Sequence, residues 1–428
     1  MNVSKLNSRD TLYILIGLPW LFLMIMSSRM FSTQKIILVL MLFALTLLEV
    51  LFRHIRINKK IFVFVFTFVL YYFVSLAIGI ANGYKFSPGT DYPLIQYYMF
   101  TPICVMLFNA AFGNTEDRRK FVWDILKWMT LLLSVFDVIT ILTYRQGIST
   151  PLSLFIMVAS DVTDTELALR TSNETSFMFL LPLYLVLLLD GKEKDKKDSV
   201  VYAFIEAFGI VYALISGRKM LQLVLLLTAA VIGVWRLLAA KRHGIPLNKL
   251  LKRALLIILA IAVFALILSK VTTILNVGNI IQRAYDTLVN GLSSSAFGMT
   301  KRVSDAKALT ELWLESPLWG NGLNAYASSN IANGATRWSY EVVYNALLAQ
   351  TGIIGIGLLF LAVIYMVRIL WIKFKTTGDS RYFAVLAGFA SFIFCGSSNP
   401  LVYLIWPWAI TLIFGVNGFY ADSGIIHE

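Results

Sequence analysis

The sequence predicts an all-α integral membrane protein of about twelve spans, with one large, partly helical outer loop between spans 9 and 10. Three observations predict it. The chain of 428 residues is 58% hydrophobic and only 14% charged, a balance that would leave a soluble domain with a largely apolar surface. Its apolar residues gather in runs near 20 long, the length that crosses about 30 Å of hydrocarbon. The runs are rich in phenylalanine and leucine and lack the alternation of a membrane β-barrel. Mean hydropathy is +0.75.

The spans are read in order at 11–27, 35–52, 61–81, 94–112, 121–143, 173–190, 200–215, 219–239, 253–271, 341–367, 382–397 and 401–419. The first follows Lys5 and Arg9, and no A-x-A-like cleavage site follows it, so it is expected to be a retained helix. The short segments 53–60, 116–120, 191–198, 241–253 and 368–381 are basic. Alternation puts all five on one side with both termini, and positive charge marks that side as cytoplasmic. The same bias explains the net charge of +13 without a nucleic-acid partner. The chain is read as one polytopic domain over 1–428, with no internal repeat.

Two outer segments are not short: 144–172 and 272–340. The second carries apolar residues at helical spacing (Val303, Ala306, Leu309, Leu312, Trp313), which predicts a small helical cap rather than a floppy linker. "FGMTKRVSD" supplies a helix start, and "ESPLWGNG" a stop through proline and glycine.

An arginine set falls on the outer side, where positive-inside bias disfavours it: Arg145, Arg170, Arg218, Arg283, Arg302 and Arg337. Each needs an anionic partner. That partner is either one of the outer carboxylates (Asp161, Asp164, Glu174 and Asp286 among them) or a ligand such as a lipid-carried pyrophosphate, whose oxygens suit the planar guanidinium fork. Glu341 opens a membrane helix beside Arg337, Tyr340 and Tyr344. The helix dipole favours a carboxylate there, and a general base would stand equally well in that place. Asp137, in mid-span, is expected to pair with an arginine of another helix. No metal or other cofactor is expected: His54, His243 and His427 lie away from the outer loops, and no phosphate-binding P-loop occurs. Cys104 and Cys395, both in apolar runs, read as free thiols.

The outer loop and the helix after it, "KRVSDAKALTELWLESPLWGNGLNAYAS" and "YEVVYNALLAQTGIIGIGLLFLAVIY", resemble the signature region of the O-antigen polymerase and O-antigen ligase superfamily of bacterial membrane glycosyltransferases. The matching pieces are Arg302, Ser316-Pro317-Leu318, Gly320, Gly322, Gln350, Gly352 and Gly355. "LISGRKMLQLVLLL" resembles a second signature, with Arg218 in a short outer turn. The resemblance covers residues from about 210 to 370.

It implies that Arg218 and Arg302 hold the pyrophosphate of an undecaprenyl-linked glycan donor and stabilise charge on the leaving group without a metal. Ligases of this superfamily carry a histidine eleven residues before the glycine that is Gly352 here; that position is Glu341. The departure favours a polysaccharide polymerase, with Glu341 in a direct role. Arg170, Arg283, Arg337, Tyr340, Tyr344 and Asn345 are the expected substrate-binding set. Trp319, Trp338 and Tyr340 either stack on sugars or belt the interface. Gly320 and Gly322 are expected to allow a tight turn after Pro317, and Gly352 and Gly355 close helix packing.

The function implied is polymerisation of undecaprenyl-pyrophosphate-linked repeat units at the outer face of the bacterial cytoplasmic membrane. The bilayer, the lipid-linked donor and acceptor, a chain-length regulator and a flippase are the implied partners. Ligation of glycan to lipid A core or protein is the alternative in chemistry. A lipid-linked sugar flippase is the alternative from another class; it would show repeated halves and broken helices with midplane charges.

Overall fold

The computed structural model describes residues 8–26, 31–53, 59–87, 94–95, 98–99, 103, 116–163, 166–190, 196–216, 219–242, 296–327 and 337–397. Helices dominate: α1 (Ser8–Met26), α2 (Ser32–Arg53), α3 (Lys59–Ala81), α4 (Glu116–Arg145), α5 (Glu174–Asp190), α6 (Lys196–Ile215), α7 (Lys219–Arg242), α8 (Ala296–Glu315), α9 (Val343–Thr377) and α10 (Ser380–Cys395). Among the described residues, four stretches are long and apolar enough to cross a membrane: Thr33–Phe52, Lys120–Arg145, Lys197–Ile215 and Val343–Thr377. Shorter apolar helices cover five more of the expected spans. The expected spans 253–271 and 401–419, and nearly all of 94–112, lie outside the described residues. Large apolar side chains line exposed faces, among them Leu40 and Leu51 of α2 and Leu361 and Ile364 of α9. Lipid accepts such faces where water would not.

Pure helicity is corrected at one place. The segment expected as an outer loop, 144–172, holds an antiparallel hairpin of β1 (Val158–Thr163) and β2 (Glu166–Thr171). Its register pairs Val158 with Thr171 and Thr163 with Glu166. "ELALRT" is made largely of strong helix formers, so the strand is imposed by pairing rather than by propensity.

The chain divides into two compact units. One holds the end of α4 from Lys127, the hairpin and α5 to α7. Here α5 packs on α6 and α7. Among the described residues, Asp137 has no arginine partner of the kind expected. Asp137 is fully buried and accepts a hydrogen bond from the Thr171 hydroxyl at 2.7 Å, and that hydroxyl also meets the Tyr212 hydroxyl at 2.9 Å. A hydroxyl at the end of β2 therefore does the work assigned to an arginine. Arg145 is spent on structure too: its Nη2 donates to the Ile215 carbonyl at the C-terminus of α6, at 2.9 Å.

The other unit holds α1 to Met24, α2, α3, the start of α4 and α8 to α10. Helix α9 packs on α3, α8 and α10. It is not the uninterrupted span expected. Gly352 has φ 64° and ψ −171°, which breaks the helix into two segments. A break frees backbone groups, and unsatisfied groups in an apolar setting cost several kcal/mol. The turn after α8 supplies their partners reciprocally. Ile353 and Ile354 donate to the carbonyls of Pro317 (2.9 Å) and Leu318 (3.2 Å). Asn321 and Gly322 donate to the carbonyls of Ala349 (2.9 Å) and Gln350 (2.8 Å). The Tyr71 hydroxyl takes the Thr351 carbonyl.

Such close approach of two backbones needs glycine. Gly320 and Gly322 have φ 75° and 108°. A Cβ on Gly352 would stand 2.6 Å from the Gly320 nitrogen. Gly352 thus serves a helix break, not the helix packing expected of it; Gly355, closed in by Tyr71 and Thr351, does serve packing.

Gly352→Ala would strain a conformation that favours glycine, costing about 1–3 kcal/mol before the clash is counted. A melting temperature several degrees lower in detergent is expected. Gly357→Ala, where an added Cβ meets nothing within 4 Å, should melt no lower than the parent.

Candidate active site

Helix α8 anchors the site. Leu309 and Leu312 are buried beside Ala346 and Ala349 of α9, while Arg302 and Val303 face outward. Val303 was expected on the apolar face and is exposed instead. Pro317 sits just past the end of α8, and the Asn321 side chain donates to the Leu312 carbonyl at 2.6 Å, satisfying a helix-end acceptor. The chain then enters the backbone pairing at Gly352.

Gln350, fully buried, ties the next stretch down. Its amide nitrogen donates to the Ala325 carbonyl at 3.1 Å and to the Trp338 carbonyl at 3.0 Å. One side chain thereby holds Ala325 and Trp338 to the same point of α9. A second tie lies beside it: the Ala327 amide donates to the Tyr340 hydroxyl at 3.0 Å. Burial pushes the Tyr340 hydroxyl above its usual range, the Ala327 bond opposes this, and Asp305 adds to it. Tyr84 is pushed up for the same leading reason, with Glu315 adding to the effect.

The two ties set what the loop base presents. Arg302 Nε donates to Glu341 Oε2 at 2.9 Å, with the two side chains 45% and 40% exposed. Arg337 lies over the Tyr326 ring, 5.4 Å from its centre, and its Nη1 donates to the Tyr326 hydroxyl at 3.1 Å. Tyr84 meets the Tyr326 ring edge-on at 5.5 Å. The result is two accessible groupings, Arg302 with Glu341 and Arg337 with Tyr326. Such groupings suit an anionic, hydroxylated ligand.

Several expected site residues are placed elsewhere. Tyr340 and Trp338 are 2% and 3% exposed, so neither offers a ring face to a sugar; they belong to the core. The Tyr344 hydroxyl donates to the Ile393 carbonyl at 2.7 Å and ties α9 to α10. Asn345 is half-buried on the first turn of α9. Trp319 stays exposed and stacks on Tyr71 at 6.5 Å. Glu341 lies just outside α9, whose cap position is Val342, so its partner is Arg302 rather than the helix end. Arg170 stands on β2 opposite Ala159. Arg218 and Arg283 lie outside the described residues.

No protein-family model, curated protein or solved structure matches this chain. Among the described residues, no group of three or more His, Cys, Asp or Glu could hold a metal ion.

Sequence reading missed Tyr326, Tyr84 and the tying role of Gln350, and it overlooked Glu206. The last is 3% exposed within α6, and neither oxygen has a hydrogen-bond partner among the described residues. A lone glutamate in "SVVYAFIEAFGIVYALI" was signal enough to find it. The role of Gln350 had only one sequence cue, a polar residue beside a glycine inside an apolar run.

Gln350→Glu removes the amide donors that reach the Ala325 and Trp338 carbonyls. The expected cost is about 2–3 kcal/mol. Hydrogen exchange at the Ala327 amide should quicken, and unchanged exchange there would refute the tying role.

Proposed function

We propose that this chain is a membrane glycosyltransferase that polymerises undecaprenyl-pyrophosphate-linked repeat units. The observation that carries the reading is the accessible Arg302–Glu341 pair at 2.9 Å. Glu341 stands where the ligases that the sequence resembles have histidine, and Arg302 stands at their loop-helix arginine.

In the proposed reaction the donor pyrophosphate lies against Arg302. The bond from the sugar's anomeric carbon to the phosphate oxygen breaks, and the electron pair leaves with the lipid pyrophosphate. Arg302 stabilises that growing charge. A hydroxyl of the incoming lipid-linked unit forms the new bond to the anomeric carbon, and its proton passes to Glu341. Arg337 and the Tyr326 ring lie on the same loop base and would orient the sugars. Arg218 carries the same phosphate-holding expectation from the resemblance, and its variant is a separate test.

Transport is the second reading, and one observation favours it: α9 is broken, and broken helices mark transporter sites. Here, however, the backbone groups freed at Gly352 are taken up by the Pro317–Gly322 turn and Tyr71, and so are not left to bind an ion. That weighs toward the glycosyltransferase.

In a deletion strain complemented with Arg302→Ala or Glu341→Ala, polysaccharide on gels should collapse from a ladder to single repeat units on the final acceptor. A lost oxyanion-type contact costs about 10²–10³ in rate, enough to erase the ladder. Long chains stranded on the carrier would indicate a ligase instead. Normal ladders from both variants would reject the site.

A further inference from the structure

The Arg302–Glu341 contact raises a conflict within the proposed mechanism. An arginine that holds the donor phosphate and a carboxylate that accepts a proton work on different partners. Yet the two are paired with each other, Arg302 Nε to Glu341 Oε2 at 2.9 Å. An arginine closed by a carboxylate has part of its fork blocked.

We propose that the Glu341 carboxylate is an internal stand-in for a phosphate group, occupying the anion seat of Arg302 until a phosphate-class ligand displaces it. This rests on the reading of Arg302 as the donor's phosphate contact and adds an order of events to it. The donor's pyrophosphate, with more charge and more oxygens than one carboxylate, takes Arg302. Glu341 is released by that exchange, and its Oε2 is then open to the acceptor hydroxyl. The acceptor hydroxyl therefore meets Glu341 after the donor is seated.

The geometry makes the exchange inexpensive. Both side chains are nearly half exposed, and ion pairs of that kind contribute little. Glu341 lies before the first turn of α9 and caps nothing, so its release costs the helix no hydrogen bond. Arg302 extends from α8, whose position is held independently by Leu309, Leu312 and the Asn321 bond. Neither partner needs the other to stay in place.

The test is binding of inorganic pyrophosphate, and in parallel of a polyprenyl pyrophosphate in mixed micelles, to the purified full chain in detergent. Glu341→Gln keeps the shape and removes the charge. It should bind both probes about two- to fivefold more tightly than the parent, the range released by an exposed pair. Glu311→Gln removes the same charge from the exposed face of α8 and should leave affinity unchanged. Equal gains from both variants, or none from Glu341→Gln, would overturn the exchange. Arg302→Ala keeps the two ideas apart. It should lose about tenfold or more. Unchanged binding by Arg302→Ala would sink the phosphate seat itself. A loss there without a gain in Glu341→Gln would sink only the stand-in.

A gain for both probes assigns recognition to the phosphates alone. A gain confined to the polyprenyl probe assigns it to the lipid-linked headgroup. Either supports the exchange.

Discussion

The described part of the α8–α9 region depends on one constraint: a helix broken inside an apolar setting must give every freed backbone group a partner. At Gly352 that is met by another stretch of backbone. Four hydrogen bonds run in both directions between residues 317–322 and the two sides of the break. Each contributes about 1 kcal/mol net, yet leaving any of them unmade costs more than making it gains. The pairing therefore behaves as all or nothing. It also dictates glycine at Gly320 and Gly352, because two main chains meet there without room for a Cβ. The same demand reaches α3, where Gly79 lies against Gly322 and Asn324.

The proposed site is built on this joint. The break brings Gln350 to the level where its side chain reaches both ends of the following loop, and the loop base then carries Tyr326, Arg337 and Glu341. Helix α8, tied to the same turn, delivers Arg302. The paired charges are 39 residues apart in sequence, so their meeting is a product of the joint rather than of local spacing. A rigid buried frame thus presents a loosely held surface pair, a division that suits a site where substrate must replace an internal partner. The other unit has its own buried polar centre, Asp137 with Thr171 and Tyr212. It joins a carboxylate of α4 to hydroxyls of β2 and α6.

What was legible in the sequence follows from which forces act locally. Long apolar runs marked the helices because hydropathy is a sum over neighbours. The end of α8 was legible because proline and glycine stop helices wherever they occur. The hairpin was not legible: Glu166, Leu167, Ala168, Leu169 and Arg170 favour helix, and only pairing across β1 makes them a strand. The break at Gly352 was hidden because a glycine in an apolar run reads as a packing surface. Trp338 and Tyr340 looked like interfacial rings and proved to be core, since burial is set by what lies opposite them. Arg302 and Glu341 were each singled out by position, but their bond to each other lay beyond any spacing rule.

The most direct measurement is release of undecaprenyl pyrophosphate by the purified chain given a synthetic lipid-linked repeat unit. The account predicts release in step with growth of the glycan, and its loss in Arg302→Ala protein that retains the parent's melting temperature. No release from the parent chain, or equal release from the variant, would contradict it.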